Sequence, residues 1–147
     1  MRKIDLYDHN RTAFEKAERM LDEEGKAAII HPTGTGKSYI AFALIEKYPE
    51  KRFIWLAPTE YIYNLQMEKL WQKQHVRFEN VEFHTYSWLN RQWAADQNMT
   101  GDVRCAFLDK APDYIILDEF HRLGAEKWGR STKRLLAVYP EAKVLGL

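Results

Sequence analysis

Apolar residues recur along this chain in two alternating patterns, which predict a succession of helices and strands. Spacing of three and four residues predicts an amphipathic helix, whereas a short apolar run bounded by turn residues predicts a buried strand. Strands are predicted at residues 27–30, 53–57, 81–85, 114–117 and 144–147. Helices are predicted around residues 13–21, at 37–48, after residue 59, at 88–96 and at 126–139, with a turn at 98–102.

Three of these helices have a predicted inner face, and that of the second helix consists of Ile40, Ala43 and Leu44. In the first helix the apolar face consists of Ala13, Phe14, Ala17, Met20 and Leu21. Gly25 is predicted to end this helix, because glycine readily adopts the left-handed conformation found just after a helix C-terminus. Thr59 is predicted to cap the third helix with its side chain. The predicted inner residues of the third helix are Ile62, Leu65 and Leu70.

The order of these elements indicates the fold class. Short, nearly all-apolar strands that alternate with helices are typical of α/β proteins, in which helices cover both faces of a parallel sheet. The chain has 147 residues, of which 46% are apolar, so it can bury one core but has no room for two. The sequence therefore predicts a single α/β domain.

Composition and charge limit the classes of partner. Lys and Arg total 22 against 21 Asp and Glu, so a nucleic-acid contact must be confined to a local surface. No apolar run approaches the roughly 20 residues needed to cross a bilayer, and the N-terminus has no apolar segment typical of a secretory signal. The single Cys105 cannot form an internal disulfide. These features predict a cytoplasmic protein without a membrane partner.

A glycine-rich loop is predicted between the first strand and the second helix, where the sequence reads HPTGTGKS (31–38). Gly34 and Gly36 permit backbone conformations that turn successive N–H groups toward a phosphate, and the helix N-terminus favours the same negative charge. Lys37 can reach the β- and γ-phosphates, and the hydroxyl of Ser38 can bind Mg²⁺. A full P-loop has glycine where His31 stands, but the strand–loop–helix context is the one required.

Two acidic residues directly follow the predicted strand at 114–117. Ligands bind at the carboxyl ends of strands in open parallel sheets. We therefore expect Asp118 to hold Mg²⁺ and Glu119 to orient or deprotonate an attacking water. Two acids can also mark a helix N-terminus, but their position downstream of a phosphate loop favours the functional interpretation.

Three segments together resemble motifs I, Ia and II of superfamily-two helicases of the DEAD/DEAH type. They are HPTGTGKS (31–38), LAPTEYIYNLQ (56–66) and LDEFHRL (117–123). DEFH is similar to the DExH variant of motif II, and Phe120 and His121 differ from the residues of DEAD-box RNA helicases. The resemblance is closer to DNA helicases and restriction-type translocases, and it runs from about Asp8 to the last residue.

The resemblance implies a RecA-like P-loop NTPase lobe that uses ATP and Mg²⁺. The implied nucleotide-binding residues are Asn10, Thr33, Gly34, Thr35, Gly36, Lys37 and Ser38. The implied Mg²⁺ ligands are Ser38 and Asp118, and the implied catalytic residues are Lys37, Asp118, Glu119 and His121. His121 matches the position that couples the nucleotide site to motif III. Asn10 stands about where the family places a glutamine that reads adenine, and an amide can donate and accept across the adenine edge.

The resemblance also implies a nucleic-acid substrate, and we expect DNA rather than RNA. Pro58 and Thr59 match the motif Ia position that contacts the nucleic-acid backbone. Thr85, within HTYS (84–87), resembles a threonine of a later segment that makes the same kind of contact. Among the aromatic residues, Trp55 and Trp93 are predicted to be core, whereas Tyr61 and Tyr63 are the candidates for an exposed, base-stacking role.

The family fold implies where the last strand lies. Residues 144–147 are expected to insert between the strands at 27–30 and 114–117. The family continues from this strand into the Thr-Ala-Thr of motif III, so we expect residues 1–147 to be the first RecA-like lobe, cut before motif III is complete. This lobe is expected to be monomeric and nearly inactive alone, because the second lobe supplies the arginine fingers.

Two other classes of function remain open at this point. A small-molecule P-loop kinase would need an acceptor site and a lid, and no segment here resembles one. A nucleotide-dependent binding module would bind ATP without turnover, and the acids at 118 and 119 count against this class in a full-length protein.

Overall fold

The computed structural model describes residues 8–29, 37–95, 111–120 and 126–147. The helices are α1 (Asp8–Glu24), α2 (Lys37–Lys47), α3 (Glu60–Gln74), α4 (Tyr86–Ala95) and α5 (Glu126–Val138). The strands are β1 (Lys26–Ala28), β2 (Phe53–Ala57), β3 (Val81–Thr85), β4 (Tyr114–Leu117) and β5 (Lys143–Gly146). The turn predicted at 98–102 lies outside the described residues.

All pairings between the described strands are parallel, and the strand order is β1-β5-β4-β2-β3. The last strand of the chain is therefore inserted between the first and the fourth. In this register Ala27 is opposite Leu145, and Val144 is opposite Ile115. The α/β fold class and the expected insertion of residues 144–147 are both confirmed.

Alternation along the central strands divides the core between the two faces of the sheet. Trp55 and Ile116 point toward the face that is covered by α1, α2 and α3. Leu56 and Ile115 point toward the opposite face, which is covered by α4 and α5. Successive side chains of a strand alternate in this way, so strands buried on both faces must be apolar throughout. β2 and β4 are fully buried for that reason.

The first helix packs and ends as predicted, with one exception. Gly25 follows α1 with a φ of 74°, and its N–H donates to the carbonyl of Leu21 at 3.0 Å. The prediction that Met20 is buried is wrong, because its side chain is 41% exposed. The buried residues of this helix are Asn10, Phe14, Ala17 and Leu21. Met20 is displaced from that stripe by about 100° around the helix axis.

The third helix buries only part of the face predicted for it, and the side chain of Ile62 lies outside the described part of the chain. Leu70 is fully buried, but Leu65 is 38% exposed, so the predicted inner position of Leu65 is wrong. Tyr63 and Met67 pack against the core instead, because they share one face with Leu70 at three- and four-residue spacing. Thr59 occupies the N-cap position, but its side chain makes no capping hydrogen bond. The prediction that the side chain of Thr59 caps this helix is therefore also wrong.

None of the helices in the described ranges combines the length and the apolar character that crossing a membrane requires.

Candidate functional site

Several of the predicted site residues that the structure describes lie at the carboxyl ends of the strands. In a parallel sheet all strands end at the same edge, where ligands bind. Asp118 directly follows β4, and Pro58 directly follows β2. Thr85 is the last residue of β3, opposite Ala57 of β2. The predicted residues that lie outside the described ranges are Thr33, Gly34, Thr35, Gly36 and His121.

Asp118 is held by three hydrogen bonds from two neighbouring elements. Its backbone N–H donates to the carbonyl of Leu56 at 2.8 Å. Its carboxylate accepts a bond of 3.4 Å from the indole Nε1 of Trp55, and its carbonyl accepts a bond of 2.7 Å from the hydroxyl of Tyr86. Only 7% of the residue is exposed. The carboxylate therefore has a fixed position at the end of the sheet.

Burial raises the pKa of the Asp118 carboxyl above its ordinary value. The hydrogen bond from Trp55 and the positive charge of Lys37 act in the opposite direction, and the charge of Glu119 adds to the rise. Lys37 is the first residue of α2, and its charge is the smallest of these influences on the pKa of Asp118. A buried carboxylate whose negative charge is only partly balanced by its neighbours favours the approach of a further cation.

Glu119 has a left-handed backbone, with a φ of 55°. Only a few per cent of residues other than glycine adopt a positive φ, and such conformations cluster at active sites. Glu119 is partly exposed, whereas Asp118 is buried. The turn thus gives the two acids different surroundings, one fixed in the protein interior and one partly exposed.

Ser38 lies in the first turn of α2, and its hydroxyl is engaged by a residue that the sequence analysis did not assign to the site. The Nε2 atom of Gln66 donates to Oγ of Ser38 at 2.8 Å. Gln66 lies on the inner face of α3 between Tyr63 and Leu70, where a polar side chain interrupts an apolar stripe. That interruption is the sequence signal that could have identified it.

The chemistry of Ser38 and Asp118 fits a magnesium ion. Mg²⁺ prefers oxygen ligands, and it usually binds through one or two protein groups while phosphates and waters complete its octahedron. Ser38 offers a hydroxyl in the first turn of α2, and Asp118 offers a buried carboxylate directly after β4. Lys37, next to Ser38, adds a positive charge suited to phosphate.

Asn10 is almost completely buried on the inner face of α1, with 1% of its surface exposed. Its Oδ1 atom has no hydrogen-bond partner among the described residues. A buried amide oxygen without a partner costs free energy. The first turn of α1 therefore carries a polar group that is suited to a hydrogen bond with a ligand.

The residues expected to contact nucleic acid differ in their local roles. Thr59 is exposed and its hydroxyl makes no capping bond. Thr85 instead caps α4, because its Oγ1 accepts the N–H of Trp88 at 2.9 Å. Trp55 and Trp93 are buried, as predicted. Tyr61 is 74% exposed, but the prediction that Tyr63 is exposed is wrong, because it packs against the core.

Comparison with known proteins identifies a family for this chain. The family model described as "Type III restriction enzyme, res subunit" matches residues 3–147, a range that contains all three helicase-like segments. No curated protein matches the chain.

Proposed function

Because this chain belongs to the family of the type III restriction enzyme res subunit, a helicase-type domain of superfamily two, we propose that it is the ATP-binding lobe of a helicase or translocase that acts on DNA. The observation that carries the proposal is the buried carboxylate of Asp118, which directly follows β4 at the carboxyl end of that strand. A domain of this family needs a metal-binding acid and a phosphate-binding lysine at one place.

The proposed roles divide between phosphate, metal and water. Lys37 binds the β- and γ-phosphates, together with the backbone of the loop that contains Thr33, Gly34, Thr35 and Gly36. Ser38 and Asp118 hold Mg²⁺, which when bound neutralises charge on the phosphates. Glu119 accepts the proton of the attacking water, and its partly exposed position gives water access to it.

Two further residues complete the proposed nucleotide site. Asn10 reads the adenine edge, a role supported by the buried amide oxygen that lacks a partner among the described residues. His121 couples the nucleotide to motif III and to the neighbouring lobe, as the helicase resemblance implies. We propose that residues 1–147 form one RecA-like lobe in the cytoplasm, monomeric by itself, and that a second lobe completes the catalytic cleft.

Nucleic acid is proposed to bind along the ends of two neighbouring strands. Pro58 and Thr59 follow β2, and Thr85 ends β3, which is paired with β2. Hydroxyl groups and backbone N–H groups in such positions are typical contacts to phosphate. The formal net charge of +1 adds little general attraction, so we expect binding of the lobe to single-stranded DNA to be weak and to depend on salt.

The experiment is a calorimetric titration of the chain with ATP in the presence of Mg²⁺. Lys37→Ala should abolish binding, because the phosphates lose their main cation. Lys51→Ala is the control, since Lys51 is an exposed lysine in the turn that precedes β2, at the opposite edge of the sheet. Equal affinity of the wild type and Lys37→Ala would show that the site is wrong. Binding of ATP with no binding of single-stranded DNA would favour a nucleotide-binding module or a small-molecule kinase.

A further inference from the structure

The two proposed magnesium ligands are each held by a side chain from a different helix. We infer that Gln66 and Tyr86 are positioning residues, with Gln66 fixing the hydroxyl of Ser38 and Tyr86 fixing the backbone of Asp118 for the metal. This inference rests on the proposed function, because it presumes that Ser38 and Asp118 bind Mg²⁺. It adds two residues that contact neither nucleotide nor metal.

Gln66 is suited to fixing the hydroxyl of Ser38. A serine hydroxyl rotates freely unless another group holds it, and a metal ligand must present its oxygen in one direction. The Nε2 atom of Gln66 lies 2.8 Å from Oγ and occupies one lone pair, so the hydroxyl is restricted to the rotations that keep a lone pair toward Gln66. If the Gln66 amide is rotated by half a turn, its Oε1 accepts a hydrogen bond from the hydroxyl of Ser38. The same serine oxygen is then fixed.

The burial of Gln66 supports a specific task for its amide. Its Oε1 atom is buried and has no hydrogen-bond partner among the described residues. Burial of an amide with one unsatisfied end is unfavourable compared with an apolar residue at the same place. The neighbours of Gln66 on this face, Tyr63, Met67 and Leu70, all pack against the core. The bond to Ser38 is the interaction that a leucine at position 66 would lose.

Tyr86 performs the corresponding role for Asp118. Its ring is completely buried, and its hydroxyl donates to the carbonyl of Asp118 at 2.7 Å. This carbonyl belongs to the peptide that joins Asp118 to Glu119, the residue with the left-handed backbone. The hydroxyl therefore fixes the plane of the peptide between the two acids. A phenylalanine would fill the same space without holding that peptide.

The two positioning residues are on the helices that begin at the proposed nucleic-acid contacts. α3 begins directly after Thr59 and includes Gln66, and α4 begins at Tyr86, directly after Thr85. Each proposed metal ligand is thus hydrogen-bonded to one of these two helices.

The test uses Gln66→Leu and Tyr86→Phe, each with a matched control. Gln72→Leu changes an exposed glutamine of α3 whose bond is to Glu68. Tyr63→Phe removes a tyrosine hydroxyl that donates to a different backbone carbonyl, that of Phe83. Affinity for ADP is measured by calorimetry with Mg²⁺ and with EDTA. Binding of Mn²⁺ to the protein–ADP complex is followed by electron paramagnetic resonance, and circular dichroism checks that each variant is folded.

Groups that orient a metal ligand are typically worth about 10-fold or more in metal affinity. We therefore expect Gln66→Leu and Tyr86→Phe each to weaken Mn²⁺ binding by about that factor, while affinity for ADP in EDTA stays at the wild-type value. Both controls should behave as the wild type in both measurements. A merely structural role would lower the metal-free affinity as well, so the difference between the two measurements identifies positioning.

Three results would overturn the inference. Wild-type Mn²⁺ affinity in both folded variants would show that neither residue positions a ligand, while the nucleotide site itself would stand. An equal loss of affinity for ADP with and without metal would show a structural role. If Mg²⁺ does not strengthen ADP binding to the wild type at all, the proposed metal site fails, and the positioning roles fail with it. Should Tyr86→Phe not fold, Gln66→Leu still decides the matter for Ser38.

Discussion

The ring of Phe120 lies directly over Gly146, so closely that a Cβ atom at position 146 would be 2.9 Å from Cδ1 of the ring. Phe120 follows the acidic pair, and its N–H donates to the carbonyl of Leu147 at 3.3 Å. The N–H of Leu147 donates in turn to the carbonyl of Leu117 at 3.0 Å. The turn that presents the two acids is therefore packed against the end of β5, the strand inserted beside it.

Gly146→Ala should destabilise the fold by about 1–3 kcal/mol, the usual cost of adding a methyl group to a filled space. The added Cβ must displace the ring of Phe120 or the backbone of β5. The free energy of unfolding in urea measures this cost. The control is a double-mutant cycle in which Phe120→Ala first removes the ring. If Gly146→Ala costs as much in the Phe120→Ala background as in the wild type, the contact between the two residues is not its cause.

Asp118→Asn should stabilise the chain without ligand at neutral pH. Burial raises the pKa of the Asp118 carboxyl in the folded state above its unfolded value, so the folded state binds the proton more tightly. Stability therefore falls as the pH rises from the unfolded pKa to the folded pKa, by about 1.4 kcal/mol for each unit between them. Asparagine carries no charge, so the stability of the variant does not fall over this pH range.

Thermal unfolding of Asp118→Asn and the wild type over a pH series checks the direction of this difference in stability. The advantage of the variant should be largest above the folded pKa of Asp118 and should disappear below its ordinary value of 3.8. A wild type that is more stable than the variant at neutral pH would contradict the prediction. The same substitution should remove the Mg²⁺-dependent part of nucleotide affinity, because it removes a charged ligand. The site would then be more stable without its acid and less able to bind metal.

The strands could be predicted because the pattern that specifies them is local, whereas the insertion of the last strand was implied only by the resemblance to the helicase family. β2 and β4 are uninterrupted apolar runs, and residues of this kind are buried whichever partner they pair with. The helix faces were less predictable, since a shift of one residue turns a side chain by about 100°. Met20 and Leu65 are exposed for that reason.

The contacts that hold the site could not be read from the sequence, because their partners are far apart along the chain. Trp55 was predicted to be a core residue, and it is, yet its indole reaches a carboxylate 63 positions away. Gln66 and Ser38 are separated by 28 positions, and Tyr86 and Asp118 by 32. The left-handed backbone of Glu119 has no local signal either, because that turn is imposed by the strands on each side.

Substitutions of Thr59 and Thr85 should separate structure from nucleic-acid binding. Thr85→Val removes the oxygen that caps α4, so it should cost about 1 kcal/mol of stability. Thr59→Val should cost little, because the side chain of Thr59 makes no capping bond. If both hydroxyls contact phosphate, both variants should weaken binding of a fluorescent single-stranded DNA, measured by anisotropy at low salt. Wild-type DNA affinity in Thr59→Val would remove motif Ia from the proposed interface.

Substitution of Glu119 should have little effect on ATP turnover by this chain alone. In the helicases that the chain resembles, arginines from the second lobe stabilise charge on the transferred phosphate, and such an arginine is worth about 10³–10⁵ in rate. We therefore expect residues 1–147 to bind ATP but to hydrolyse it near the background rate, with or without single-stranded DNA. Glu119→Gln should barely change this rate, although it should disable a two-lobed motor, since only there does the proton acceptor limit the reaction. A phosphate-release assay measures the rates of ATP hydrolysis by the wild type and by Glu119→Gln. Robust turnover by the 147-residue chain that DNA stimulates and Glu119→Gln abolishes would show that one lobe is a complete enzyme.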